Sequence, residues 1–255
     1  MRAPVDTIAA PLFPRALPWV NVAQSSGQAS IIQRGRPLLV EFWDFCRPNS
    51  LRTLPYVKAW HERYAPAGLR VVGVHCPGFD ASRDEQAVRD AVARLEIDYP
   101  VLIDSELEVW QDYGNEGWPA RYLFDGRARL FDYHYGEGAY TETELAIQEL
   151  LGVEREPLAP VRPEDAPDAR LQAQTADQPG AYCGPYAAGG VWAVLEGRGR
   201  VLVNGGPDAG GSVIEVTRPS AYGLVEHDRH TEAMLELELD EGVRCLATCF
   251  TPGLA

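Results

Sequence analysis

A chain of 255 residues with 45% hydrophobic and 24% charged residues has the composition of a globular protein, long enough for one large domain or two smaller ones. Its net charge of −14 excludes a nucleic-acid backbone or an anionic membrane surface as the expected partner, and five cysteines without tight spacing fit a reducing compartment better than a disulfide framework. Prolines at positions 4, 11, 14 and 18 interrupt any signal-peptide core, and no run approaches the roughly 18 apolar residues of a membrane span, so the expected location is cytoplasmic.

Residues 1–18 read as an irregular arm, followed by a short edge strand over 19–22 and a loop over 21–27 before Ile31 and Ile32. Leu38 to Trp43, LLVEFW, is an apolar run of strand length broken by Glu41. The chemistry then becomes helical: Asn49 or Ser50 can cap a helix to about Tyr64, kinked at Pro55. Cys46 falls at this junction, where the unpaired N–H groups of a helix start and the neighbouring Arg47 both favour a thiolate. Further along, Leu69–His75 reads as a buried strand, 82–95 as an amphipathic helix, 99–103 as a strand and 106–113 as a short helix. A hairpin over 121–124 and 128–135 turns at Asp125-Gly126, and 141–151 closes the unit as a helix. Strands alternating with helices predict an α/β architecture.

The proline-rich stretch 153–180 has no sustained apolar period and reads as a linker or wrapping segment. From Ala181 the pattern is all-β. VWAVLE and RVLVN form a hairpin signal around Gly197-Arg198-Gly199; SVIEVT, AYGLVEH, EAMLELELD and VRCLATCF follow. In EAMLELELD, Leu235, Leu237 and Leu239 alternate with Glu236, Glu238 and Asp240, as in a half-buried strand. A small β-sandwich or jelly roll is expected over 181–255.

The stretch LLVEFWDFCRPNSLRTLPY resembles the active-site segment of thioredoxin-fold redoxins of the TlpA and DipZ type (AhpC/TSA-type redoxins), roughly F-W-T-x-x-C-x-N-C-L-R-x-L-P-Y. Phe42, Trp43, Asn49, Leu51, Arg52, Leu54, Pro55 and Tyr56 match it. Both redox cysteines are replaced: the attacking position holds Arg47 and the resolving position Ser50, with Cys46 one place earlier. The resemblance continues through GVHCPGF, DYPVLID, YGNEGWPARYLFD and YHYGEG, over about residues 38–152. It implies a thioredoxin-like domain over 1–152, a central mixed sheet flanked by helices, with a cis bond between Trp118 and Pro119. The chain after 181 resembles, more weakly, a shortened form of the β-domain of DipZ-like proteins, a domain often likened to carbohydrate-binding modules.

Cys46 and Arg47 are therefore the first catalytic candidates, and a dithiol cycle needs a second sulfur within bonding reach. Cys76 ends the strand expected beside Leu38–Trp43, at the sheet edge where open α/β folds place their sites, and is the candidate resolving thiol; a buried core residue is the competing reading. Trp43, Asn49, Ser50, Trp118 and Pro119 would form the substrate-binding surface that the family's cis-proline loop implies. Glu41 reads either as a buried carboxylate assisting proton transfer or as a solvated edge residue. His75 beside Cys76 does not make a metal site, since strand neighbours point to opposite faces, and neither a metal nor a cofactor is expected.

In the β-region, Cys245 and Cys249 are expected to share a strand face as core residues, Cys183 is a lone thiol in a turn, and His227 and His230 sit in a polar hairpin loop. Tyr182, Tyr186, Trp192 and Tyr222 read as core aromatics before a sugar platform. No phosphate loop, zinc-protease helix, peroxiredoxin motif or nucleophile elbow is present. Two readings stay open: a thiol oxidoreductase acting through Cys46 on a peroxide or disulfide, with thiol substrates or reductants as partners, or an inactive redoxin-derived scaffold that binds a protein or a carbohydrate.

Overall fold

The structure is a computed structural model that describes residues 7–22, 35–205 and 211–255. The chain divides into two compact units, one of Met1–Asp44 with Asn49–Ala159, the other of Phe45–Pro48 with Pro160–Ala255. Ile31, Ile32 and most of the expected 21–27 loop lie outside the described residues.

The first unit is built on a six-stranded mixed sheet. Its strands are β1 (Trp19–Val20), β2 (Leu38–Trp43), β3 (Arg70–His75), β4 (Val101–Ile103), β5 (Ala120–Phe124) and β6 (Leu130–Tyr135), in the order β1-β4-β3-β2-β5-β6. β2, β3 and β4 are parallel; β1, β5 and β6 run antiparallel to their neighbours. Every residue of β2 is buried, as expected of a central strand covered on both faces. Leu38, Val40 and Phe42 join Val72, Val74, Tyr122 and Phe124 in one core, packed by Trp110 and Tyr113. Phe13 enters this core, 5.5 Å edge-on from Trp19 and 6.1 Å from the stacked Tyr113, so the irregular arm is tied down by a buried ring.

Among the described residues, the α-helices of this unit are α1 (Pro48–Tyr64), α2 (Glu85–Arg94), α3 (Glu108–Asp112) and α4 (Tyr140–Leu151). α1 starts one to two residues before the expected cap. Pro48 takes the first helical position, where its missing N–H costs nothing, and Asn49 and Ser50 lie inside the helix. Ser50 instead turns its hydroxyl to accept the Asp44 N–H at 3.2 Å. The helix runs on through Pro55. Asp84 caps α2 by accepting the Ala87 N–H at 2.8 Å.

The second unit is β-rich. Its strands are β7 (Leu171–Gln172), β8 (Gln178–Pro179), β9 (Gly184–Gly197), β10 (Gly199–Asn204), β11 (Ser212–Val216), β12 (Ser220–Leu239), β13 (Val243–Thr251) and β14 (Gly253–Leu254). Six form an antiparallel sheet in the order β11-β10-β12-β9-β13-β8, and β14 pairs with β7. The stretch 153–180 thus divides: residues up to Ala159 group with the first unit, and those from Pro160 supply β7 and β8 to the second.

Three expectations for this region need correction. β9 and β10 are not a paired hairpin, because β12 lies between them; the Gly197-Arg198-Gly199 turn crosses over, with both glycines at positive φ. The two strands expected around VEHDRH are one 20-residue strand, β12, with its pairing to β9 shifted between Glu226 and Thr231, so His227 and His230 are strand residues. A bulge between Cys245 and Ala247 puts Cys245 opposite Leu195 and Cys249 opposite Trp192, hence on opposite faces of the sheet. The core lies on the face of Val191, Ala193, Leu195, Val201, Leu235, Leu237 and Phe250, and the Leu/Glu alternation of β12 points as expected. Tyr186 is within this core; Tyr182 and Tyr222 pack against it.

Candidate functional site

In the first unit the chemistry gathers at the C-terminal ends of β2, β3 and β4, where three parallel strands release their chains together. Asp44 follows β2, His75 ends β3 with Cys76 next, and Asp104 follows β4; all four are fully buried. The Asp44 carboxylate accepts the Gly78 N–H at 2.7 Å and the Ser82 hydroxyl at 3.1 Å. Its other oxygen lies 3.6 Å from His75 Nε2, an ion pair whenever the imidazole is protonated. The His75 ring in turn meets Trp43 edge-on at 5.1 Å.

Asp104 works as a cap. Its two oxygens accept the N–H groups of Glu108 at 2.8 Å and Trp110 at 2.9 Å, fixing the start of α3. The Cys76 thiol donates to the same carboxylate at 3.4 Å. Burial pushes the Cys76 thiol well above its usual range, and the charge and hydrogen bond of Asp104, then the charge of Asp44, push it further. Cys76 is therefore held as a thiol at neutral pH, the opposite of an activated nucleophile.

The loop before β5 closes over the same edge. The Trp118–Pro119 peptide is cis, as the resemblance implied. The half-buried Trp118 donates its indole N–H to the Cys76 carbonyl at 2.9 Å and packs on Trp110 with ring centroids 4.2 Å apart. Pro119 is buried, and its carbonyl accepts the Gly136 N–H. The end of β3 and the cis-proline loop are thus locked by one hydrogen bond.

One layer deeper, Glu41 is fully buried, which removes the solvated-edge reading. Burial raises its carboxyl to about 8, against the pull of the Arg121 charge and the Tyr99 hydroxyl, which donates at 3.3 Å. Arg121 sits opposite Glu41 in the β2–β5 register, equally buried, with its guanidinium 5.1 Å from the Tyr140 ring centre and 5.6 Å from that of Trp60. Those rings come from α4 and α1, so both helices cover this face of the sheet.

Of the residues expected at the site, Trp43 and Ser50 are fully buried and bonded or packed inside the protein, while Asn49 is exposed on the first turn of α1. Cys46 is fully buried in the turn two residues ahead of Pro48, and Arg47 is half-buried. Both belong to the Phe45–Pro48 segment that groups with the second unit. All five cysteines carry thiols. In that second unit Cys249 is pushed up to about 12 by burial and then by the Asp177 carboxylate, with the Arg47 charge acting in the opposite sense. Cys183 is exposed as a residue, and its sulfur accepts the Leu237 N–H at 3.3 Å.

Sequence reasoning missed Asp44, Asp104 and Arg121. The first two carried a usable signal: an acid placed directly after an apolar strand and ahead of a helix is positioned to take up backbone N–H groups. Among the described residues no cluster of histidine, cysteine and acid side chains has the makings of a metal site.

No family model matches the chain. Over 163 residues, 62% of its length, it is 32% identical to Protein DipZ of Mycobacterium tuberculosis, covering 24% of that protein. It is 26% identical to the thiol-disulfide oxidoreductase YkuV of Bacillus subtilis over 116 residues, 46% of this chain and 78% of YkuV. The solution structure of a thioredoxin-like protein in the oxidised form matches with a TM-score of 0.50 at 24% identity, covering 57% of this chain and 97% of that one. A thioredoxin-like superfamily protein known from its crystal structure matches with a TM-score of 0.51 at 21% identity, over 58% and 99% of the two chains. These two likenesses speak for the fold of the first unit.

Proposed function

We propose that this chain, similar over part of its length to Protein DipZ and to the thiol-disulfide oxidoreductase YkuV, is a TlpA/DipZ-type redoxin and itself a thiol-dependent oxidoreductase that works through a single sulfur, Cys46. The observation that carries this reading is the position of Cys46 in the β2–α1 turn, one residue ahead of the family's attacking position, on an otherwise intact redoxin scaffold with its cis-proline loop.

In the proposed cycle the Cys46 thiolate attacks one sulfur of a disulfide, forming a mixed disulfide and releasing the other half as a thiolate. A second thiol, supplied from outside, then attacks the mixed disulfide and returns Cys46. With a peroxide, Cys46 takes one oxygen to become a sulfenic acid while the O–O bond breaks to give an alcohol or water; a thiol then condenses with it and releases water. An external thiol is the better reductant, because Cys76 is held protonated by Asp104 and would have to lose that proton to attack. Of the residues of the proposed binding surface, Asn49 is exposed and Trp118 half-exposed, while Pro119 is buried. Glu41, which carries a proton at neutral pH inside the sheet of the first unit, is a candidate for proton exchange.

Our reading also places the protein in a reducing, cytoplasmic setting, where five thiols persist, and treats the second unit as a sandwich-like domain whose long, bulged β9 and β12 close around one core. The test is turnover of a small disulfide and of hydrogen peroxide with a thiol reductant. Wild type is expected to turn over one of them and Cys46→Ser to lose at least a hundredfold. A wild-type protein inactive on both, with Cys46 never found as a sulfenic acid or mixed disulfide by peptide mass spectrometry, sinks the enzyme reading and leaves the binding scaffold.

A further inference from the structure

Cys46 is fully buried, so any reaction at its sulfur begins with the opening of its turn. Within the second unit that turn has a specific anchor. β12 pairs with β9 from Ser220 onward, but with β10 only between Glu236 and Leu239, so among the described residues no strand pairs with the other ladder edge of its first residues. Alternate residues of an antiparallel strand turn their N–H groups to opposite edges, and a buried N–H without an acceptor costs about 1–3 kcal/mol. Ala221, buried at this edge, donates its N–H to the Phe45 carbonyl at 3.1 Å. The Ser220 hydroxyl, also buried, donates to the same oxygen at 3.4 Å. Phe45 is the residue immediately before Cys46, so two donors from one strand end converge on the peptide that carries the thiol.

We propose that Ser220 and Ala221 are positioning residues for Cys46: their grip on the Phe45 carbonyl keeps the Phe45–Pro48 turn closed, and its release is the step that admits a disulfide or peroxide to the sulfur. The C-terminal unit then sets the reactivity of the thiol without contributing a reacting atom. A strand edge is a template for pairing, and here Ala221 donates from it to a carbonyl of the turn. One bond to a side chain and one to the backbone also make the closure reversible, since losing the weaker of them changes the open population by about tenfold. The proposal rests on Cys46 being the reacting thiol, and its test reads the exposure of that thiol rather than turnover, so the two can fail separately.

The experiment is timed alkylation of the full chain with iodoacetamide, read per cysteine by peptide mass spectrometry across a pH series, beside amide hydrogen exchange of the wild type. The Ala221 amide is expected to exchange at least a thousandfold more slowly than an open strand edge. Ser220→Ala should raise the alkylation rate of Cys46 about tenfold and shift its pH profile, while Cys76 and Cys249 stay protected; Ser220→Thr, which restores the hydroxyl, should return Cys46 to the wild-type rate. Ala221→Pro, which removes the N–H, should have the larger effect on Cys46. An Ala221 amide exchanging at the open-edge rate, a Cys46 rate unchanged in Ser220→Ala, or a rise shared equally by all three thiols in that variant overturns the proposal.

Discussion

Glu41 and Asp104 are both fully buried carboxyl groups on neighbouring parts of one sheet, yet they are housed in opposite ways. Asp104 stands at a strand-to-helix junction, where backbone N–H groups are in surplus, and collects two of them plus the Cys76 thiol. Glu41 lies mid-strand, where the backbone donors are taken by the ladder; one of its oxygens has the Tyr99 hydroxyl and the other no hydrogen-bond partner among the described residues. The opposing guanidinium of Arg121 is held by aromatic faces and the Gly138 carbonyl. The difference teaches that a buried carboxyl at a strand end can gather several donors, while one in mid-strand has few, and that for Glu41 the Arg121 charge and one hydroxyl do not offset burial, so it keeps its proton.

The largest effect should come from titrating Glu41. In the unfolded chain it ionises near 4.5, in the folded chain near 8. Below 4.5 both states are protonated and its contribution is fully present; as pH rises the unfolded state ionises first, and stability is lost until the folded group ionises too. Between those limits the loss from this group is on the order of 5 kcal/mol. Glu41→Gln should flatten that slope in urea unfolding measured from pH 4.5 to 8, and parallel wild-type and variant curves would refute the assignment.

Asp104→Ala comes next, at about 3 kcal/mol, since it strands two helix-start N–H groups and a buried thiol together. A loss below 1 kcal/mol would show that α3 does not depend on this cap. Cys76 separates donor from volume: Cys76→Val should cost about 2 kcal/mol by taking a donor from Asp104, whereas Cys76→Ser, which keeps one, should cost less than 1. Equal costs would mean that packing alone matters there. Trp118→Phe, which removes the bond to the Cys76 carbonyl and keeps most of the ring, should cost about 1 kcal/mol in the same unfolding assay, and no change would leave the cis-proline loop held by other contacts.

The same contrast explains what could be read from residues alone. β2 and β3 were legible because strands buried on both faces spell continuous apolar runs, and the cis-proline loop was legible through its matched motif. Glu41 could be located but not judged, since its burial depends on α1 and α4, which a strand sequence does not record. Asp104 escaped because the donors it accepts from are backbone N–H groups, which nearly every residue carries and a sequence therefore does not mark. In the second unit the polar run EHDRH breaks the alternation of what is one strand, and the Gly-Arg-Gly turn looks like a hairpin whether or not its arms pair. Bulges are harder still: one extra residue before Ala247 reverses which face Cys249 occupies, with no mark in composition. At the candidate site, Cys46 is singled out by its place in a motif, but the backbone bond from the Ala221 N–H to the Phe45 carbonyl beside it is not, because such a bond requires no particular side chain.

The tilted contact between Trp110 and Trp118, 4.2 Å between ring centres, has an optical consequence. Two indoles this close share their electronic excitation, and the coupling gives a paired positive and negative band in circular dichroism whose size depends steeply on their separation and angle. One chromophore of the pair is carried by the short helix that Asp104 caps, the other by the loop bonded to Cys76. The protein therefore contains a built-in spectroscopic ruler across its cis-proline loop, readable without a label, that would report in real time whether that loop shifts when a thiol or disulfide arrives.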